Sequence, residues 1–334
     1  MRAATVVLAA ATAVALVAGG SAAPAPRLEV AYVTDMTTAA SPHDLRGAAL
    51  LGFRRSVSRF RVAGAVVQFD PRAGIGPTLQ LLARRHYDLV IVGEVRSFPD
   101  ITAVISEAKR FPHTRFVITD PPILERWPAN VAGSIWHVEQ PAYLAGYLAG
   151  LEERRRRGKD VVGSVGGLPI PSVDDFIAGF EAGAKAADPG ITILRRYSGD
   201  FLAAAKCKSV GRSEIAAGAG VLFDVAGACG LGTLAAAKES HVWGVGVDVD
   251  QSFLGPFVLT SVVKRFDVEV YDTVQALVQG RLRTGGNAVW DVRNGAVGLG
   301  TISSRLPRSL VDRLGRIRAE IASGKIRVPS RLGR

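Results

Sequence analysis

Chemistry in this chain concentrates where glycines and carboxylates follow apolar runs. Residues 219–251 hold two short β-branched runs, Val221–Val225 and 242–247, joined by Gly227-Ala228-Cys229-Gly230-Leu231-Gly232 and a helix over about 233–240. Runs that are apolar on both faces read as buried parallel strands, so this stretch is one βαβ unit. Its second strand runs into Asp248 and Asp250. Ligands of open α/β sheets bind outside the carboxyl ends of the strands. There Gly227 lets backbone approach a ligand closely. The Asp248 carboxylate can accept two hydroxyl hydrogen bonds from a vicinal diol, charge-assisted bonds worth about 1.5–3 kcal/mol each. It can equally cap a helix or pair with Lys264. Lys264 can donate to the same hydroxyl and neutralise Asp248, or lie on the surface. Phe201 can offer a flat face to a ring, or pack in the core. Asp35 ends the first apolar run and can accept from a ring N–H, or cap the helix that follows. Asp120 precedes Pro121-Pro122 and reads as turn chemistry.

Positioning these residues takes alternating strands and helices. Strands are predicted over 27–35, 65–69, 87–92, 115–119 and 130–136, with helices over 46–60, 75–85, 99–110 and 140–156. The rhythm restarts with strands over 160–165 and 192–197 and helices over 171–187 and 203–217. After the βαβ unit come a strand over 257–261, a helix over 268–280, two short strands within 288–299 around the turn Arg293-Asn294-Gly295, and a helix over 307–323. Such alternation means parallel sheets with right-handed crossovers. The fold expected is α/β: two Rossmann-like lobes with parallel sheets and a cleft between them. The N-terminal lobe is expected over 27–145, with 256–285 returning to it. The C-terminal lobe is expected over 146–255, with 286–330 belonging to it.

A chain of 334 residues with 48% apolar and 7% aromatic content has ample core material for two domains. The net charge is +11, but the basic residues are scattered apart from Arg154–Arg157, read as a solvated helix end. No nucleic-acid-reading motif accompanies them, so no nucleic-acid partner is expected. Met1-Arg2, the apolar run 6–17 and Ser21-Ala22-Ala23 have the order of a secretory signal over 1–23; an uncleaved anchor is the alternative. No cysteine follows that run to take a lipid, so the expectation is export to the periplasm or beyond, not lipoprotein anchoring. The two cysteines, Cys207 and Cys229, can pair as a disulfide or remain buried thiols. They cannot build a structural zinc site, and no cofactor is expected. No hydrolase elbow, zinc-protease helix or P-loop lysine is present, and the five histidines stand singly. The glycine turn reads G-x-x-G-x-G, not the dinucleotide fingerprint G-x-G-x-x-G. An enzyme is not expected.

Five segments, in order, resemble the basic membrane protein family of type I periplasmic-binding-protein-like receptors, which includes bacterial purine nucleoside receptors. They are Gln140-Pro141-Ala142-Tyr143-Leu144-Ala145-Gly146; Gly166-Gly167 with Pro171-Ser172-Val173, Phe176, Gly179-Phe180 and Gly183-Ala184-Lys185; Asp224-Val225-Ala226-Gly227 with Gly230-Leu231-Gly232; Gly246-Val247-Asp248-Val249-Asp250-Gln251; and Leu259-Thr260-Ser261-Val262-Val263-Lys264-Arg265 with Asp267. The resemblance covers about residues 28–300. It implies a monomeric extracytoplasmic receptor that closes like a clamshell on a nucleoside-like small molecule and serves an ABC transporter permease. It also implies that Asp248 and Lys264 hold the ribose, that Phe201 stacks on the base, and that Asp35 matches the aspartate closing the first strand. The first loop departs from the family: 36–45 lacks the usual glycines and stacking phenylalanine. The alternative is a family member that senses a ligand or interacts without a dedicated transporter.

Overall fold

The structure, a computed structural model, describes residues 27–35, 44–93, 98–122, 124, 126–156 and 158–333. The segment read as a signal, 1–23, and loop residues 36–43 lie outside them. The first lobe is laid down by β1 (Glu29–Thr34), α1 (Leu45–Phe60), β2 (Ala63–Gln68), α2 (Gly76–Arg84), β3 (Leu89–Val92), α3 (Phe98–Arg110), β4 (Arg115–Ile118) and β5 (Val131–Trp136). The second follows with α4 (Glu139–Glu153), β6 (Val161–Gly166), α5 (Pro171–Ala187), β7 (Thr192–Tyr197), α6 (Ala204–Ala216), β8 (Val221–Val225), α7 (Gly230–Glu239), β9 (Trp243–Asp248) and β10 (Val258–Lys264). The chain ends with α8 (Phe266–Val278), β11 (Gly286–Trp290), β12 (Val297–Leu299) and α9 (Arg308–Ala322).

The two sheets repeat one topology. Their orders are β2-β1-β3-β4-β5-β11 and β7-β6-β8-β9-β10-β12. All neighbours are parallel except β12, which runs antiparallel to β10. In each sheet the first strand of the lobe sits between the second and the third. That arrangement reverses the winding direction there and opens a crevice at the carboxyl ends. Helices cover both faces, so β3, β6 and β8 are buried throughout, which is why their sequences are near-continuous apolar runs.

The lobe limits differ from the sequence expectation in three places. The 145/146 boundary falls inside α4. This helix packs on α5 at backbone distance: a Cβ on Gly146 would lie 1.9 Å from the Phe180 carbonyl oxygen, and one on Gly183 would lie 2.0 Å from that of Tyr143. The helix therefore belongs with the second sheet, and the chain crosses at His137-Val138. Strand β10 pairs with β9 in the second sheet. Of 256–285, it is α8 that crosses back, its Asp267 carbonyl against Gly52 of α1. Finally, β11 pairs with β5 and β12 with β10, so the strands around Arg293-Asn294-Gly295 form no hairpin. The turn is real, with Gly295 at φ 73°. A turn fixes where a chain bends, not which sheet edge the next strand finds.

Three crossings thus join the lobes, and they are bonded to one another. The His137 N–H donates to the Trp290 carbonyl at 2.9 Å, and the Arg265 N–H donates to the Ala296 carbonyl at 2.7 Å. The Val292 N–H donates to Gln140 Oε1 at 3.1 Å. The arginine run after α4 is more than a solvated end. Arg156 makes a two-pronged bond to the buried Glu153 and another to the Gly218 carbonyl.

Because α4 and α5 meet at their glycines, Gly183→Ala is expected to destabilise the fold by about 3 kcal/mol. Its new Cβ can be accommodated only by separating two backbones. Chemical denaturation checks this, and a loss under 1 kcal/mol would contradict the close contact.

Candidate functional site

Two strands that end facing the interlobe space finish in aspartates with left-handed backbone. Asp120, just after β4, has φ 49°, and Asp248, the last residue of β9, has φ 67°. Asp tolerates this region better than most residues, yet the conformation costs energy and concentrates at functional sites. One aspartate belongs to each lobe.

Lys264, the last residue of β10, joins them. It lies at the second crossing, and its side chain is only 8% exposed. Its ammonium donates to both oxygens of Asp120, each at 2.9 Å. The sequence allowed Lys264 to pair with Asp248, but the hydrogen bonds go to the opposite lobe. The ammonium also lies 5.9 Å from the Trp136 ring centre and 5.6 Å from that of Phe176, within cation–π range. Burial opposes its charge, but Asp120 and Asp248 outweigh burial and hold the lysine above its ordinary pKa.

Burial also raises the pKa of three further acids. Burial pushes Asp224 of β8 well above the usual carboxylate range, and Asp248 adds to the push. Burial likewise lifts Glu269 of α8 to about 8, and the Ser134 hydroxyl donates to it. Asp175 on α5 is raised to about 6, first by burial and then by Glu139 and Asp174, while Lys264 pulls the other way. The hydrogen-bonding acceptor held against Lys264 is Asp120, and Asp248 acts on its charge from nearby.

Phe201 lies at the crevice of the second sheet. Gly167, just beyond β6, is so close beneath its ring that a Cβ would come within 2.3 Å of it. Gly227, with φ 56°, flanks the ring at the end of β8, where a Cβ would lie 3.8 Å from a ring carbon. Gly167 is needed for the aromatic to rest on the strand ends, whereas Gly227 is favoured by its own left-handed backbone, since a Cβ there would make only ordinary contact with the ring. Phe201 is partly exposed and packs at the edge of the main core. Beneath it Cys207 and Cys229 form a disulfide, with Cα atoms 5.6 Å apart.

Asp35 stands just beyond β1 and is exposed. It is 3.7 Å from Arg46 in the first turn of α1. It does not cap α1: Asp44 does, its side chain accepting the Gly47 N–H at 2.7 Å. The structure therefore groups Lys264, Asp120 and Asp248 through charge, and Phe201 with Gly227 and Gly167 through contact. Sequence reasoning assigned Asp120 to turn chemistry. The signal for Asp120 was present in V-I-T-D, an apolar strand closed by aspartate like V-T-D at Asp35 and V-G-V-D at Asp248.

A separate surface hollow of about 720 Å³ lies against the end of α8, lined by Asp272, Gln275, Gln279 and Arg281 among others. It holds neither the strand-end carboxylates nor a ring, and the site is not placed there. Among the described residues, no group of three or more His, Cys, Asp or Glu is arranged to hold a metal ion. No helix among them is long and apolar enough to cross a membrane.

Two like-wound lobes joined by three crossings, with carboxylates, a lysine and a ring at their strand ends, define a bilobal solute-binding protein of the α/β type. Residues 50–331 match the family described as ABC transporter substrate-binding protein, PnrA-like, and the chain belongs to that Bmp family. It is a binding protein of a transport system and not an enzyme. Among its relatives is the ABC transporter nucleoside-binding protein BmpA of Lactococcus lactis, 30% identical over 247 residues, covering 69% of this chain and 68% of that protein. The CD4+ T-cell-stimulating antigen of Listeria monocytogenes is 31% identical over 282 residues, covering 79% and 76%. In fold the chain is similar to an ABC transporter solute-binding protein of Aeropyrum pernix, with a TM-score of 0.71 at 21% identity, covering 92% of this chain and 94% of that one.

Proposed function

We propose that this protein binds a nucleoside, or a solute of closely similar shape and hydroxyl pattern, and presents it to the permease of an ABC transporter outside the cytoplasm. The observation that carries this reading is the placement of a ring and a carboxylate at the carboxyl ends of neighbouring strands. Phe201 rests on the ends of β6 and β8, and Asp248 ends β9, the next strand. One to two strand spacings separate them, about 5–10 Å, which suits a ligand with a flat ring at one end and a diol at the other. Phe201 stacks on the ring. Asp248 accepts from the diol, and Lys264, held at the lobe boundary, donates to the same hydroxyls. Asp120 and Asp35 supply acceptors from the first lobe. Closure is a rotation at the three bonded crossings, which brings the lobes' strand ends onto the ligand. The relative named as a nucleoside-binding protein agrees with this ligand class. The apolar N-terminal run fits an exported protein, acting as a monomer.

Calorimetric titration with purine nucleosides, free bases and pentoses tests the reading. Nucleosides should bind, with bases and pentoses each far weaker. Asp248→Asn should weaken nucleoside binding about tenfold or more, because it removes the charge from two charge-assisted hydrogen bonds. A clear response to another solute class, with none to nucleosides, would overturn the ligand assignment while leaving the family intact.

A further inference from the structure

We propose that the Cys207–Cys229 disulfide is a positioning element of the solute site, fixing the Phe201 ring at the crevice of the second lobe. This rests on the reading of Phe201 as the stacking face. Cys207 lies on α6 and Cys229 in the short turn between β8 and α7. Both are fully buried, in a small apolar cluster with Val165 and Ala226 that stands apart from the main core.

The tie acts directly on the residue that matters. The Cys229 N–H donates to the Phe201 carbonyl at 2.9 Å, and Cys229 Sγ lies 3.0 Å from the Ala203 carbonyl oxygen. The bond therefore clamps the carboxyl side of the Phe201 segment to the turn that begins with Gly227. The amino side is set separately. The Ser198 N–H donates to the Gly166 carbonyl and the Gly199 N–H to the Gly167 carbonyl, each at 2.8 Å. With both sides held, the ring has little freedom except to lie over Gly167 and Gly227. Without the sulfur bridge, the carboxyl side keeps one backbone hydrogen bond to the turn. A platform that must be in place before the ligand arrives gains affinity from such fixing, because less freedom is lost on binding.

The experiment compares the oxidised wild type with Cys207→Ala/Cys229→Ala, at a temperature where circular dichroism shows both folded, using inosine and guanosine as probes. The Kd is expected to rise tenfold or more in the double variant. Phe201→Ala is expected to cost much less in that background than in the oxidised protein, because the ring is already displaced. Without ligand, amide hydrogen exchange at Cys229 should speed up at least tenfold, while exchange in the β6 and β9 amides holds. If the double variant does not fold, wild type reduced with a phosphine supplies the same comparisons. An unchanged Kd with additive effects of Phe201→Ala, or exchange that accelerates uniformly, would make the bridge a stability element only and overturn the proposal. If the oxidised wild type binds neither nucleoside, the ligand reading fails. The exchange comparison then decides the positioning alone, and unchanged exchange at Cys229 sinks it.

Discussion

Replacing Lys264 with methionine is expected to abolish detectable solute binding and to destabilise the fold by about 3 kcal/mol, near the lower end of what breaking a buried ion pair costs. Methionine keeps most of the side chain's volume beside Trp136 and Phe176, so the loss is of charge and donors. Asp120 loses both of its 2.9 Å hydrogen bonds. Its side chain is 35% exposed, so water recovers part of the penalty. Asp120 and Asp248 would then face each other across the lobe boundary without the cation that offsets them, and each already holds left-handed backbone. The effects on stability and binding can be separated. Adding Asp120→Asn to Lys264→Met should restore much of the lost stability, because the uncompensated charge goes with it. Binding should stay lost, because the donor is still absent. Denaturant titration and calorimetry on the two variants check this. A Lys264→Met protein that binds its solute as tightly as wild type would show that the lysine is only a strut between the lobes.

That test probes the part of the molecule that was hardest to read in advance. The alternation of strands and helices was legible because parallel strands covered on both faces must be nearly all apolar. L-V-I-V and V-L-F-D-V can hardly be anything else when each is followed by a helix-length segment. The strand-end carboxylate at Asp248 and the glycines around Phe201 were legible for the same reason, since they punctuate such strands. The partner of Lys264 was not. Asp120 is 144 residues away in sequence, and no local pattern announces a contact made by two lobes coming together. The sheet membership of β10, β11 and α8 was hidden by similar physics. A strand of suitable composition can add to either sheet, and the choice is made by the edge left open after the rest has folded. The Cys207–Cys229 pairing stood open against two buried thiols, because two cysteines alone carry no distance information.

The last expectation concerns pH, and it comes from an acid remote from the cleft. Glu214 on α6 is completely buried, and neither carboxylate oxygen has a hydrogen-bond partner. It lies against Gly163 of β6. Burial lifts its pKa from the ordinary 4.5 to about 8, with Arg196 opposing weakly. In the unfolded chain the group releases its proton near 4.5, whereas in the folded protein it keeps it to about 8. Between those values the native state binds more protons than the unfolded state. Stability must therefore fall as pH rises through that window, by a few kcal/mol in all. Glu269, also lifted to about 8, adds a slope of the same sign. The protein should be most resistant to denaturation in mild acid, before the paired carboxylates begin to protonate. Glu214→Gln removes one source of the slope without changing the shape of the side chain. It should leave stability near pH 5 little altered, raise it at pH 8 by a few kcal/mol, and flatten the dependence between. Denaturant midpoints measured from pH 5 to 8 on wild type and variant decide the matter. Parallel curves would mean that Glu214 ionises in the folded protein at ordinary pH, with water or a shifted Arg196 reaching it.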